Sequence, residues 1–345
     1  MLVLTIPFLF SFGSAALPRD VNSQAQVLKA STEMVVVDAL VLQKKTGRPV
    51  GALKREDFEL YEDGVRQEVT YFSQDTLPLS VVLLFDLTDT TRPVLKPLAS
   101  GALQALQHLK SEDEVAVMVY AASAELLQDF TTDRTLAVAA IEKAADMKSK
   151  EGAFFNEAIF QASSQAARGR NPSSRRVIIW LTDNEPTVPS EAMRRRYGKS
   201  IPAGSLHTEK DAFKELFESG TTVSSIVERS ALSDLDMVVI GKNPLYAPVR
   251  KEYPPGDAYK YAEETGGQVM KSSKEEVSSK LAKLIDEIRT RYSFGYSPSV
   301  KQPEDHFCAI KLKVKPEAEE HEGKLIVKAR LGYYRHITTH SSVPE

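Results

Sequence analysis

The chain has 345 residues, 42% hydrophobic and 26% charged, with a net charge of −3. That mix belongs to a folded protein of one large domain or two ordinary ones, and it excludes a global basic field for holding nucleic acid or an anionic membrane. Cys308 is the only cysteine, so one chain cannot close an internal disulfide, and there is no cysteine cluster for zinc.

The opening MLVLTIPFLFSFGSAALPRD carries no charge before Arg19. An apolar run from Leu2 to Phe12 leads into Gly13-Ser14-Ala15-Ala16, the pattern of a secretory signal cleaved near residue 16, although the basic leading segment is missing. Pro7 interrupts a run already shorter than the roughly 20 apolar residues a membrane span needs. No other segment is long and apolar enough to span. The expectation is an exported protein of the periplasm, cell envelope or medium.

Residues 31–75 read as an N-terminal β segment. MVVVDALVLQ is a strand and KKTGRPV a turn, and DFELYEDGVRQEVTYF gives two short strands around Glu62-Asp63-Gly64, a hairpin signal. From residue 79 to 291 strands alternate with helices. LSVVLLF (79–85), EVAVMVY (114–120), RRVIIWLTD (175–183), TTVSSIV (221–227), DMVVI (236–240) and QVM (268–270) read as strands, with SAELLQDF (123–130) as the hairpin partner of 114–120. Helices are expected at 93–109, 133–147, 156–168, 208–218, 257–265 and 274–290. Strands separated by amphipathic helices predict a doubly wound, mainly parallel α/β sheet, Rossmann-like. The runs 79–85 and 176–182, apolar but for Ser80, Arg176 and Thr182, are read as central. Residues 292–336 return to β, in YSFGYSP, HFCAIKLKVKP and GKLIVKARLGYY, with PEAEEHEG as a charged loop, and 337–345 form a tail. The economical arrangement inserts the α/β domain into a small β-sandwich made from 31–75 and 292–336, because two separate β modules of this size would have marginal cores.

Both central strands end in acid. Asp86-Leu87-Thr88-Asp89-Thr90 follows the first, and Asp183 follows the second. In an open α/β sheet ligands bind beyond the carboxyl ends of the strands. Asp86, Thr88, Thr90 and Asp183 make a hard-oxygen set suited to Mg²⁺ or Mn²⁺, weakly held because hydroxyls bring no charge. Equally open on residue types is that Thr90 or Thr91 caps the next helix while Asp86 ends the strand.

VVLLFDLTDT and the later VIIWLTDNE resemble a von Willebrand factor type A (VWA) domain. The resemblance extends to a bacterial group of exported VWFA-related acidobacterial proteins through DFELYEDGVRQEVTYF, YAEETGG (261–267), YSFGYSP, IKLKVK and KARLGYY. It implies a metal-ion-dependent adhesion site. Asp86, Thr88 and Thr90 match its first motif and Asp183 its later aspartate, and the site takes Mg²⁺ or Mn²⁺ and a protein partner's Glu or Asp. Where the family's second loop carries a ligating Thr, EGAFFNEAI (151–159) has Ala153, which cannot ligate, and Glu157 stands where an Asp is common. The metal is therefore expected to be weak or absent. Asp89, Phe154, Phe155 and Glu185 are the expected partner-binding rim, with packing of the two phenylalanines into the core as the other reading.

The implied function is a non-enzymatic binding or adhesion module. A metal-free structural scaffold is one alternative. An aspartate-nucleophile phosphohydrolase with Asp86 as nucleophile is a remote one, since Thr88 stands at acid-plus-two and TDNEP lacks a paired acidic metal loop. RRRYGKS (194–200) fails as a phosphate loop because Met193 replaces the first glycine, and Arg194-Arg195-Arg196 read as a solvated run or an anionic contact patch. His108, His207, His306 and His321 are scattered, and His336 and His340 sit in the polar tail.

Overall fold

The computed structural model describes residues 34–74, 77–149, 151–187, 206–228, 254–300 and 302–335. The expected signal at 1–16, the strand at 236–240, the arginines at 194–196 and the histidines at 336 and 340 lie outside the described residues. Among the described residues no helix is long and apolar enough to cross a membrane.

Four strands come first: β1 (Val35–Gln43), β2 (Phe58–Glu62), β3 (Val65–Gln67) and β4 (Tyr71–Gln74). The α/β body follows as β5 (Leu79–Asp86), α1 (Arg92–Leu106), β6 (Glu114–Tyr120), β7 (Ala124–Thr131), α2 (Arg134–Asp146), α3 (Phe155–Ala166), β8 (Arg175–Thr182), α4 (Glu209–Ser219), β9 (Thr222–Glu228), α5 (Ala258–Thr265), β10 (Val269–Ser272) and α6 (Val277–Arg289). The chain ends in β11 (Tyr292–Tyr296), β12 (Phe307–Val314), α7 (Pro316–Glu322), β13 (Leu325–Ala329) and β14 (Gly332–Tyr334).

The body is a six-stranded sheet in the order β10-β9-β8-β5-β6-β7, parallel except for β7, which runs antiparallel to β6. Every residue of β5 is buried, because strand alternation sends its side chains to two covered faces. Val81, Leu83 and Phe85 pack under α1, α2 and α6 with Val177, Ile179 and Leu181 of β8. Val82 and Leu84 pack under α3, α4 and α5 with Ile178 and Trp180. Three helices, α2, α4 and α5, start where short polar side chains satisfy their first N–H groups: Asp133 accepts from Thr135 N, Thr208 and Asp211 form a capping box, and Asp257 accepts from Tyr259 N. The chain leaves β5 toward β6 on one side and returns to β8 on the other, so the carboxyl ends of β5 and β8 meet at the switch point of the sheet.

Strands from before and after the body mix in two four-stranded sheets, β13-β1-β11-β4 and β14-β12-β2-β3. Their facing side chains, among them Val37, Val41, Phe58, Leu60, Tyr292, Phe294, Ile310 and Leu312, share one core. The hairpin is where the Asp-Gly signal put it, with Asp63 and Gly64 both at positive φ.

Three expectations are corrected. PEAEEHEG is the helix α7 and not a loop: Pro316 opens it, Glu317 and Glu319 sit in its first turn, His321 in its last, Gly323 ends it, and Ala318 is buried against the sandwich. GKLIVKARLGYY is two strands, because β13 pairs with β1 while β14 crosses to β12 in the other sheet. The second half of the expected hairpin likewise divides, with β3 on β2 and β4 on β11.

Candidate functional site

Asp86 is the last residue of β5 and is fully buried. Its Oδ1 accepts the backbone N–H of Thr88 at 2.8 Å, which folds the acidic turn back onto its own carboxylate. The Thr88 and Thr90 hydroxyls are 3.1 Å apart, and Thr90 Oγ1 donates to Asp183 Oδ2 in the loop after β8. Asp183 Oδ1 accepts Glu185 N at 2.9 Å. The four residues singled out in the sequence are thus linked by hydrogen bonds across two loops, Asp86 through the Thr88 backbone N–H and the other three through side-chain oxygens. Neither threonine caps α1 by its side chain. Thr91 takes the N-cap position without a side-chain cap bond, and Pro93 sits in the first turn.

Two residues that sequence reasoning did not reach complete the floor. Tyr120 ends β6 directly beside Asp86. Its hydroxyl donates to Asp86 Oδ2 at 2.9 Å and accepts the indole N–H of Trp180 at 2.9 Å. The available signal was a tyrosine at the carboxyl end of a buried strand, which becomes informative only once β6 is known to neighbour β5. Burial and the Asp183 carboxylate push the Asp86 pKa up to about 7. The buried Tyr120 hydroxyl is pushed well above its ordinary value, first by burial and then by Asp86.

Asn184, in the left-handed region at φ 62°, turns the chain after Asp183 and accepts Ala258 N at 2.8 Å, tying the loop to the start of α5. Ala153 is fully buried and exchanges two hydrogen bonds with Thr187: its N–H donates to the Thr187 hydroxyl at 3.0 Å, and its carbonyl accepts Thr187 N at 2.8 Å. A hydroxyl therefore does lie against the second loop, but it belongs to residue 187. Glu157 faces away into the segment before α4. His207 Nδ1 and N lie 2.7 and 2.9 Å from its Oε2, and the His207 ring stacks on Phe160.

The expected rim divides. Asp89 is exposed and pairs with Arg92 at 3.0 Å, and Glu185 is half-buried. Phe154 and Phe155 are not rim residues. Phe155 packs edge-on against Trp180 with ring centroids 4.7 Å apart, and Phe154 packs with Ala122 and Leu206. Two aromatics at the start of α3 gain more from filling the space beneath the loop than from meeting water.

The residues present fit a divalent cation. Two carboxylates and two hydroxyls converge, the donors are all oxygen, and among the described residues no lysine or arginine forms an ion pair with Asp86 or Asp183. A bound Mg²⁺ or Mn²⁺ would supply the positive charge that these two acids lack and an attachment point for an outside carboxylate.

Residues 81–185 match the family model of the von Willebrand factor type A domain. A search of the curated proteins gave no match. Solved structures similar to this chain include BatB, a conserved hypothetical protein from Bacteroides thetaiotaomicron, at 16% identity and TM-score 0.38, covering 61% of this chain and 98% of that one. The von Willebrand factor type A protein from Catenulispora acidiphila matches at 11% identity and TM-score 0.42, covering 75% and 70%. The vWF domain of the type V pili tip protein Mfa5 from Porphyromonas gingivalis matches at 11% identity and TM-score 0.39, covering 62% and 95%. The matched residues run from inside β5 to the loop after β8, through the switch point of a doubly wound sheet, and the chain carries a von Willebrand factor type A domain.

Proposed function

We propose that this protein is a non-enzymatic recognition module, exported by a cleaved signal at 1–16, whose α/β domain (79–291) is held by the flanking β segments (31–75 and 292–336). Its binding face is the carboxyl edge of the six-stranded sheet. Asp86, Thr88, Thr90 and Asp183 hold Mg²⁺ or Mn²⁺, and the partner is a protein that presents a Glu or Asp beside Asp89 and Glu185. The observation that carries this reading is the run of hydrogen bonds that joins Asp86 to the Thr88 backbone N–H and then the Thr88, Thr90 and Asp183 side-chain oxygens across two loops at the switch point. A module that docks an anion through a cation needs no nucleophile and no general base.

A metal-free scaffold is the second reading, favoured by two specific features. Ala153 brings no ligand, and the Tyr120 hydroxyl already serves Asp86 Oδ2. The two readings separate in a calorimetric titration of Mg²⁺ and Mn²⁺ into the purified protein. The binding module gives saturable heat that Asp86→Ala abolishes, and Ala153→Thr tightens it. A scaffold gives no saturable heat in the parent protein, and the edge of the sheet then loses its claim as a metal-dependent face.

A further inference from the structure

We propose that Asp63, His306 and Cys308 form a zinc site on the sheet β14-β12-β2-β3, independent of the oxygen site at Asp86. One ligating atom from each of the three lies within 4.8 Å of the others. They come from opposite ends of the chain. Asp63 is at the tip of the β2–β3 hairpin, His306 immediately precedes β12, and Cys308 is two residues further on.

The hairpin tip is bolted to β12 in a way that aims these side chains. Asp63 N donates to Ala309 O, and Ala309 N donates to Asp63 Oδ1, both at 2.9 Å. Fixing Oδ1 leaves Oδ2 to face His306 Nε2 at 3.0 Å and Gln302 Nε2 at 3.1 Å. Tetrahedral zinc, with about 2.0–2.1 Å to N or O and about 2.3 Å to S, holds its ligand atoms roughly 3.3–3.7 Å apart. The carboxylate and imidazole therefore already stand near the required spacing, and the thiol closes the third corner with a small movement.

The chemistry of the set selects the ion. A thiolate, an imidazole and a carboxylate are borderline-soft ligands suited to zinc, whereas Mg²⁺ and Ca²⁺ prefer the all-oxygen set at Asp86. Glu62, next to Asp63, is a buried carboxylate that accepts the hydroxyls of Tyr296 and Tyr333, and the Cys308 thiol lies 4.0 Å from the His306 carbonyl. Cys308 is buried while the His306 side chain is 38% exposed, so the ion enters past the imidazole and keeps a solvent-facing fourth position.

Once bound, the ion clips the hairpin tip to residues 302–308. The same segment meets α4, where Asp305 pairs with Lys214 at 3.6 Å and Phe307 packs on Phe217 with ring centroids 5.2 Å apart. Zinc there would fasten the small sheet to the α/β body.

Co²⁺ titrated into the reduced full chain tests the proposal. With excess Mg²⁺ present to occupy the oxygen site, the expected result is one equivalent of Co²⁺ bound, with tetrahedral visible bands and a thiolate-to-cobalt charge-transfer band in the near ultraviolet, all displaced by Zn²⁺. Cys308→Ser removes the charge-transfer band. His306→Ala, a change at a partly exposed position that should fold even if buried Cys308→Ser does not, weakens binding by more than the about 10–100-fold typical of losing an outer-shell partner. The charge-transfer band reaches the same intensity with and without Mg²⁺, since Mg²⁺ takes the all-oxygen set and not the thiolate. Absence of the charge-transfer band in the parent protein, its survival in Cys308→Ser, unaltered affinity in folded His306→Ala, or its loss on adding Mg²⁺ would each overturn the assignment.

Discussion

Asp86 is buried beside a second carboxylate, and that combination has a consequence for stability as well as binding. Burial and Asp183 raise its pKa to about 7 in the folded protein, while an unfolded Asp titrates at about 4. Between those values the folded state binds the extra proton. The contribution of Asp86 to stability is fully present below about pH 4 and is lost as pH rises through about 7, at up to about 1.4 kcal/mol per pH unit. Asp86→Asn removes the charge and keeps an acceptor for Thr88 N. Urea unfolding in chelator should therefore show the variant gaining on the parent protein as pH goes from about 4 to about 8. An equal difference at both ends would mean that Asp86 is not held neutral. Much of this site could be read from residue types, since two acids after two apolar strands already point to the switch point. Tyr120 could not, because its role depends on which strand lies next to β5. Phe154 and Phe155 could not either, because paired aromatics at a helix start look the same whether the space beneath them is filled or open.

Among the elements, those with strong periodicity were legible and those with neither period were not. β5 and β8 hold continuous apolar runs at 81–85 and 177–181, and α1, α4 and α6 place apolar residues on one face. PEAEEHEG offers one buried residue, Ala318, and so shows no face at all. The β13–β14 break is invisible in KARLGYY because each half is a good strand alone and only pairing separates them. The junction of α5 with β13 tests how tightly such an element end is fitted. Gly266 stands at φ 77°, and a Cβ there would lie 2.4 Å from the carbonyl carbon of Ala329. Gly47 has a similar φ, 68°, with open space around it. Gly47→Ala should cost only the left-handed penalty of about 1–2 kcal/mol. Gly266→Ala should cost clearly more, since backbone must move. Chemical denaturation of both variants checks this, and equal costs would show that the α5 terminus has slack.

For the molecule as a whole, the sandwich and the α/β body are joined by buried charge as well as by apolar contact. Arg175, at the start of β8, donates to Asp38 of β1 at 3.1 Å, to Ser293 of β11, and to the carbonyls of Ile288 and Arg291. Asp38 also acts electrostatically on Arg291 and Arg330. Burial lowers the Arg291 pKa to about 10, Asp38 opposes that shift, and Arg175 adds to it. One carboxylate therefore serves several buried guanidinium groups. That β segments from both ends of the chain would meet was legible from composition, but this ionic joint was not, since Asp38 and Arg175 are 137 residues apart and each reads as an ordinary surface charge. The asymmetry gives an ordered prediction. Arg175→Met replaces a buried cation by an apolar side chain and leaves Asp38 beside Arg291 and Arg330. Asp38→Ala leaves the arginines facing one another without their counter-ion, and should cost at least the about 3–5 kcal/mol of a broken buried pair. Urea midpoints should place Asp38→Ala below Arg175→Met, with Asp38→Ala/Arg175→Met less destabilised than the two single changes added together. If Arg175→Met proves the more damaging change, the joint is held by the arginine's five hydrogen bonds and not by the carboxylate's charge.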